Sequence, residues 1–284
     1  MKILICTKRD LEGTLFLNQA LPALAGHEIV EVWLSDKNRQ AEDQVPELGH
    51  LRFLERTLPI DLVFPLVDHL LEGHPQPPAC ATLHGLETRH GLRTRVVDGV
   101  NGPEARARMA ALAPDLVLVA RFSHLFDADT IAIPPQGILN IHPGHLPEYA
   151  GLYAPMRAVT DGRSHFGTSV HWITPGIDDG PLIKVIPSPI RRDRCLLSQG
   201  GELYPVALPT VLEVLAGCAA GERPAGTPQD RRQRRYRSLP SAAEFDALAR
   251  QGMPLWNPAA YLATLNRFLP PGMVLPNLPL PLAA

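Results

Sequence analysis

The chain has 284 residues, of which 45% are hydrophobic and 20% charged, the balance of a globular protein that can bury a sizeable core. Its 27 basic and 29 acidic residues leave a net charge of −2, which argues against a protein built to wrap nucleic acid. The 30 prolines, about twice the usual share, predict many loops and turns. The apolar fraction nevertheless excludes disorder throughout the chain.

The four cysteines lie far apart and form no CxxC pair, so the sequence predicts no zinc ribbon, redox motif or disulfide framework. No apolar stretch approaches the roughly 18 residues of a membrane helix, and the apolar run at the N-terminus is too short for a signal peptide. Prolines interrupt the apolar C-terminal tail. We therefore expect a cytoplasmic protein that does not enter a membrane.

The chain begins with a strand–helix–strand pattern. Residues 2–6 and 28–34 are rich in β-branched residues and predict strands, and leucines at near-helical spacing predict a helix between them that ends near Gly26. The following stretch, residues 37–81, is irregular and punctuated by prolines. It predicts a helix over residues 47–57 and an insertion around residues 72–80.

The alternation of strands and helices resumes after this stretch. Strands are predicted over residues 93–98, 115–121, 138–142 and 167–173, and helices over residues 102–113 and 198–220. Such alternation is typical of an α/β fold with a doubly wound, mostly parallel sheet. A site is then expected at the carboxyl ends of the strands.

The remaining residues predict a small appendage. We divide the chain into a body over residues 1–222, a charged linker over 223–240, and a short helical C-terminal appendage with a Pro-rich tail over 241–284. Helices are expected near residues 241–251 and 257–269. The basic run RRQRRYR at residues 231–237 is interpreted as solvated linker rather than a nucleic-acid patch.

Reactive residue types concentrate in the run ILNIHPGHLPEYAG, residues 138–151. Asn140 and His142 are two apart on a strand and share a face, and the strand breaks at Pro143. An amide donor beside an imidazole suits acyl transfer, since the amide can hydrogen-bond an oxyanion and the imidazole can manage a proton. Asp178, in the loop TPGIDDG, could fold back to orient the imidazole and stabilise its charged form.

The histidines in and near this run allow other interpretations. His145 forms an HxxH pattern with His142, and with Asp178 or Asp179 it could form a zinc site, although the Pro-Gly break between the histidines spoils helical geometry. His171 is either a core histidine or a partner of the site.

Several ordered motifs resemble the signature of the folate-dependent formyltransferases. The run NIHPGHLPEYAG, followed by FGTSVHWITPGIDDGPLI, carries Asn-x-His, Leu-Pro, Gly, Gly-x-Thr-x-His and Asp-x-Gly in the family's order. His171 precedes Asp178 by seven residues, as in the family, which makes Asp178 the matching carboxylate. The upstream DLVLVARFSHLF resembles the family's strand and loop beneath the pterin. The similarity covers roughly residues 85–190.

The resemblance implies a Rossmann-like catalytic domain that uses 10-formyltetrahydrofolate as co-substrate and needs no metal. It implies that Asn140 binds the developing oxyanion, that His142 stabilises charge or moves a proton, and that Asp178 orients His142 and relays a proton from the attacking amine. The residues expected to bind the pterin are Arg121, Phe122, Ser123, His124, Leu125, Thr174, Gly176 and Ile177. The residues expected near the acceptor are Lys8, Arg9, His145 and Tyr153.

The family contains enzymes with different acceptors. Glycinamide ribonucleotide enzymes have a Gly-rich phosphate loop after the first strand, where this chain has TKRDLEGTLF with one glycine. Enzymes that act on methionyl-tRNA append a larger C-terminal barrel than the residues after Pro240 provide. We therefore expect a small-molecule amine, such as a nucleotide-linked amino sugar, or a hydroxylamine of the hydroxyornithine kind, and neither a membrane nor a nucleic-acid partner. A homodimer is left open.

Four alternatives accompany this hypothesis. A formyltetrahydrofolate hydrolase would release formate without an amine, and a methionyl-tRNA-type enzyme could lack the usual C-terminal domain. A folate-binding module would have no activity, and a zinc hydrolase would contain metal.

Overall fold

The computed structural model describes residues 1–37, 42 and 44–276. Parts of the predicted stretch 37–81 and of the Pro-rich tail, namely residues 38–41, 43 and 277–284, lie outside the described residues. The strands are β1 (Lys2–Lys8), β2 (Glu28–Ser35), β3 (Thr94–Val97), β4 (Leu116–Ala120), β5 (Ile138–His142), β6 (Ala150–Gly151), β7 (His165–Trp172), β8 (Leu182–Pro189) and β9 (Tyr236–Arg237). The α-helices are α1 (Leu11–Ala23), α2 (Pro46–Arg52), α3 (Phe64–Leu71), α4 (Leu83–His90), α5 (Pro103–Leu112), α6 (Ala128–Ile131), α7 (Ala154–Thr160), α8 (Leu196–Gly200), α9 (Leu208–Ala219), α10 (Ala242–Arg250) and α11 (Pro258–Asn266).

Seven strands form one sheet in the order β3-β2-β1-β4-β5-β7-β8. The first five are parallel, whereas β7 and β8 are antiparallel to their neighbours. This confirms the predicted α/β fold with a mostly parallel sheet. Strand β8 was not predicted because it contains Pro187 and Pro189, and a strand with prolines is tolerated at the edge of a sheet, where β8 lies.

Helices cover both faces of the sheet. In β1, Ile3 and Ile5 face a core shared with α1 and α9, while Leu4 and Cys6 face a core that includes Met109 of α5. All four β1 side chains are fully buried. A parallel strand covered on both faces is therefore apolar throughout, and its carboxyl end is where polar side chains begin.

The stretch after β2 is far more helical than the sequence predicted. Helix α2 continues into a π-helical stretch, Phe53–Val63, and then into α3. Pro59 lies within the π-helical stretch and has no backbone N–H, so one hydrogen bond of a regular helix cannot form there. The wider turns of a π-helical stretch can accommodate this interruption. The prediction of a short helix over residues 47–57 was thus wrong in length.

The single helix predicted over residues 198–220 is divided. Helix α8 is followed by a turn and a 3₁₀ turn at Pro205–Ala207 before α9 begins. The stretch Leu196–Ala219 has the length and hydropathy of a membrane-crossing helix, but half of it is buried in the protein. Val211 and Leu215 pack in the core against α1 and the sheet, as expected of a core helix.

The two predicted C-terminal helices exist, but they are part of the main packing. Trp256, Tyr261 and Phe268 share one apolar cluster with the π-helical stretch and α3. Phe268 stacks on Phe64 with ring centroids 4.7 Å apart, and the Tyr261 hydroxyl donates to the Leu54 carbonyl at 2.6 Å. Helix α11 and its flanking residues therefore cover the long helical segment, and Phe245 and Leu248 of α10 pack with Leu48 and Leu51 of α2.

Candidate active site

A cavity of about 920 Å³ opens at the carboxyl ends of the parallel strands. Residues that follow β1, β3, β4 and β5 all contribute to its wall, because the carboxyl ends of parallel strands meet at one edge of the sheet. These lining residues include Lys8, Gly99, Val100, Arg121, Phe122, Ser123, His124, Leu125, His142 and Pro143.

Asn140 is oriented by a buried neutral histidine. His171, opposite Asn140 on the antiparallel strand β7, directs Nδ1 at the Trp172 carbonyl, 3.0 Å away, so Nδ1 carries the hydrogen. Its Nε2 can then accept from Asn140 Nδ2, also at 3.0 Å. Burial lowers the pKa of His171 to about 4, which keeps the ring neutral in this role. An amide nitrogen has two hydrogens, so Asn140 retains a second N–H donor toward the cavity it lines.

His142 is held by a backbone carbonyl. Its Nε2 lies 2.7 Å from the Tyr149 carbonyl, which can only accept, so Nε2 carries a hydrogen. Nδ1 faces Asp178 Oδ2 at 3.7 Å, an ion-pair separation that exceeds a hydrogen bond. The sequence predicts that Asp178 orients the imidazole of His142. The hydrogen bond that orients the ring instead comes from Tyr149.

Asp178 lies between the two histidines. Its Oδ2 accepts from the Gly151 backbone N–H at 2.8 Å, and its Oδ1 lies 3.9 Å from His171 Nε2. Its φ of 49° is in the left-handed region, which aspartate tolerates better than most residues. Both histidines are thus within reach of one carboxylate at the wall of the cavity.

A buried ionic cluster forms another part of the wall. The guanidinium of Arg121 binds Asp10 at 2.8 Å and Glu12 and Glu55 at 2.6 Å each. Burial, together with the neighbouring carboxylates, raises the pKa of Glu12 to about 8 despite Arg121, and burial likewise raises the pKa of Glu55. Burial opposes the charge on Arg121, but the three carboxylates outweigh it and raise its pKa.

Six of the eight predicted pterin-binding residues line the cavity, and two do not. Arg121, Phe122, Ser123, His124, Leu125 and Ile177 all line the cavity. Arg121 is committed to its three carboxylates. Thr174 and Gly176 lie elsewhere in the Asp178 loop: the Thr174 hydroxyl donates to Asp179, and a side chain at Gly176 would collide with Asp179. Their predicted pterin contact has no support from this arrangement.

The four residues predicted near the acceptor also separate. Lys8 and Tyr153 line the cavity. Arg9 instead pairs with Asp36 at 3.2 Å and with Asp61 at 3.5 Å. His145 lines a second, smaller pocket of about 230 Å³. The HxxH pattern therefore does not bring two histidines into one site, and the described residues contain no group of three or more metal-ligating side chains.

Several groups at the site were not predicted from the sequence. The carbonyl of Tyr149 and the N–H of Gly151 are backbone atoms, which no residue type reveals. Glu12 and Glu55 come from helices far apart in the chain, and Gln229 comes from the predicted linker. The glycines of VDGVNG, in the loop after β3, are a sequence signal that could have predicted one further part of the wall. This loop supplies Gly99 and Gly102 to the cavity.

The arrangement can stabilise negative charge on an oxygen and move a proton. Asn140 offers a neutral N–H donor, His142 an imidazole with a hydrogen on Nε2, and Asp178 a carboxylate acceptor. Preorganised donors of this kind act where charge develops in a transition state. These groups suit the attack of a nucleophile on an acyl carbon.

Part of the chain is similar in sequence to known proteins. Residues 93–195 match the sequence profile of the formyl transferase family. The methionyl-tRNA formyltransferase of Pseudomonas paraeruginosa is 30% identical over 149 residues, which cover 52% of this chain and 48% of that protein. The chain thus spans about half the length of that curated relative.

Solved structures share the fold at low sequence identity. A sugar N-formyltransferase from a Shewanella species aligns with a TM-score of 0.52 and 13% identity, covering 88% of this chain and 87% of that one. The sugar 3N-formyl transferase WlaRD, crystallised with dTDP and 5-N-formyl-THF, aligns with a TM-score of 0.54 and 12% identity, covering 89% and 82%.

Proposed function

We propose, from the match of residues 93–195 to the formyl transferase family profile, that the protein is an N-formyltransferase that moves the formyl group of 10-formyltetrahydrofolate to the amine of a small molecule. The observation that carries the proposal is the meeting of Asn140, His142 and Asp178 at one cavity wall, with Asp178 Oδ2 3.7 Å from His142 Nδ1. We retain the predicted cytoplasmic location as part of this proposal.

The cavity fits a folate of this kind. Its volume of about 920 Å³ lies near the upper end of the roughly 300–1,000 Å³ range of small-molecule sites. Phe122 and Leu125 provide apolar surface, and the loops that carry Ser123, Gly99 and Gly102 border the same space. These residues would hold the co-substrate, which supplies an activated formyl group when bound.

The residues of this chain would then promote attack by an amine. Asn140 donates its second N–H to the formyl oxygen as that oxygen gains negative charge. His142 can accept a proton at Nδ1, which has no hydrogen in the tautomer that donates Nε2–H to Tyr149, and the resulting imidazolium adds positive charge nearby. Asp178 accepts the proton that the amine nitrogen loses when the new C–N bond forms, and it returns a proton to N10 of the co-substrate as the formyl C–N10 bond breaks and tetrahydrofolate leaves. His171 keeps the Asn140 amide turned toward the reaction by remaining neutral.

Carboxylates at the N-terminus of α1 disfavour a phosphate group at that end of the helix. The N-terminus of α1, where backbone N–H groups often bind phosphate, is capped by Asp10, which accepts from the Gly13 N–H at 2.8 Å. Glu12 follows in the same turn and lines the cavity. These carboxylates support an acceptor without a phosphate at this position.

The experiment measures tetrahydrofolate and formate released from 10-formyltetrahydrofolate, with and without a panel of amino sugars and hydroxylated ornithine. Asn140→Ala and Asp178→Asn should lower transfer about 10²–10³-fold while the protein stays folded. Asp179→Asn is the matched control, because Asp179 is adjacent in the chain but accepts from Thr174 instead of facing His142.

The outcomes separate the alternatives. Release that requires one amine supports transfer and identifies the acceptor class. Formate release without amine dependence would make the protein a hydrolase, and formylation of methionyl-tRNA instead of a small amine would make it a tRNA-type enzyme. Folate binding without release in any arm would leave a binding module. Transfer at the parent rate by Asp178→Asn would contradict the proposed role of the carboxylate.

A further inference from the structure

A segment outside the family-matched region crosses the loop that carries Asp178. We name residues 227–239 the strap. Gln229 Nε2 donates to the carbonyls of Asp178 and Gly180, at 3.0 and 2.7 Å, and Arg234 Nη2 donates to the carbonyl of Ile177 at 2.7 Å. Two side chains of the strap thus hold three backbone carbonyls at and beside the candidate carboxylate.

The strap also positions the backbone group that binds the carboxylate itself. Strand β9, part of the strap, pairs with β6 so that Gly151 lies opposite Arg237. Gly151 has a φ of 95°, and a Cβ there would lie 2.1 Å from the Arg237 carbonyl, so only glycine allows this approach. The N–H of Gly151 then reaches Asp178 Oδ2 at 2.8 Å.

Asp178 needs such support. Its φ of 49° is a conformation that persists where surrounding contacts over-determine it. Its distances of 3.7 and 3.9 Å to His142 and His171 leave little tolerance, since a shift of about 1 Å at a reacting group can cost about 10²-fold in rate.

The basic run RRQRRYR, residues 231–237, which the sequence predicts to be solvated linker, lies within the strap, and Gln229 precedes it. That interpretation was wrong for Arg234, which contacts the Asp178 loop. It holds for Arg232, whose side chain is 91% exposed and pairs only locally, with Asp230. One short segment therefore contains both the candidate residues and a matched arginine that does not touch the loop in the described contacts.

We infer that Gln229 and Arg234 are positioning residues that hold the Asp178 carboxylate in place through the backbone of its loop. The effect on catalysis rests on the proposed formyl transfer, whereas the effect on the loop does not depend on any activity.

The test compares Gln229→Ala, Arg234→Ala and Arg234→Lys with the control Arg232→Ala, in the full chain. Hydrogen exchange of the Gly151 amide, which donates to Asp178 Oδ2, should accelerate about tenfold in both loop-contacting alanine variants, because displacing the carboxylate leaves this amide without its acceptor. Arg232→Ala should exchange as the parent does. Arg234→Lys, which keeps one donor, should recover part of the protection.

Formyl transfer provides the second readout. We expect the two alanine variants to lower kcat about 10–10²-fold with little change in KM for 10-formyltetrahydrofolate. If Arg234 acts through Asp178, Arg234→Ala should cost little more in an Asp178→Asn background, because the carboxylate it positions is already gone.

Two results would overturn the inference: unchanged exchange of the Gly151 amide in both alanine variants, or a full additional loss of kcat from Arg234→Ala in the Asp178→Asn background. If the parent formylates no amine, the proposed function fails by itself. The exchange comparison between Arg234→Ala and Arg232→Ala still decides whether the strap holds the loop.

Discussion

His142 gives its Nε2 hydrogen to the Tyr149 carbonyl, 2.7 Å away, and thereby directs Nδ1 at Asp178. The tautomer of the candidate catalytic imidazole is therefore fixed by a backbone oxygen seven residues further along the chain. The 3.7 Å separation from Asp178 leaves the carboxylate able to act on a proton of the substrate instead of being used to orient the ring.

Replacing His142 should affect catalysis but not folding. We expect His142→Asn to lower kcat for formyl transfer about 10²–10⁴-fold, because the imidazole supplies acid–base or charge stabilisation that an amide cannot. Steady-state kinetics on the purified variants measures this. The matched control is His145→Asn, three residues away but lining the separate pocket. Equal losses in the two variants would remove His142 from the mechanism.

His171 should make the folding stability depend on pH. Burial lowers its pKa from 6.5 to about 4, so between these values the unfolded chain binds more protons than the folded one. The contribution of this group is fully present above about pH 6.5 and is lost as the pH falls toward 4, with an upper bound of about 3 kcal/mol. Urea unfolding at several pH values should give a flatter profile in His171→Gln. An unchanged profile in that variant would contradict the assignment.

Arg121 should be indispensable to the cluster that surrounds it. Arg121→Met leaves Asp10, Glu12 and Glu55 buried without their common cation, and we expect a loss of about 3–5 kcal/mol in the free energy of unfolding at pH 8. Chemical denaturation measures it.

Two comparisons check the electrostatic cause of that loss. Arg106→Met removes a more exposed pair with Asp127 and should cost no more than about 1 kcal/mol. Adding Glu12→Gln to Arg121→Met should recover part of the stability, because glutamine avoids both the proton uptake and the unpaired charge that burial imposes on Glu12. A double variant as unstable as Arg121→Met would contradict the electrostatic explanation.

The C-terminal helices should unfold together with the body. Phe268 is fully buried against Phe64, so Phe268→Ala should cost about 3–5 kcal/mol. Calorimetry should give one transition at a lower temperature. Val274→Ala, at a side chain that is 74% exposed, should change stability by less than about 0.5 kcal/mol. A separate transition of residues 241–276 would contradict this expectation.

The sequence alone was enough to locate the parallel strands at the centre of the sheet and the strand that contains Asn140 and His142. The apolar runs that became β1, β4 and β5 could be located because a strand buried on both faces must be apolar throughout. The residues after them had to lie at one edge of the sheet, so Asn140 and His142 could be assigned to a site. The spacing of His171 and Asp178 was likewise visible in the motifs.

The contacts around that strand could be found only from the tertiary structure. It assigned the orientation of His142 to a carbonyl of Tyr149, paired Arg121 with carboxylates from two distant helices, and brought Gln229 and Arg234 onto the Asp178 loop. These relationships join groups distant in the chain or use backbone atoms, for which composition and periodicity contain no signal. The pattern along a chain reports which residues face a core, whereas the partners of buried polar groups depend on how the elements pack.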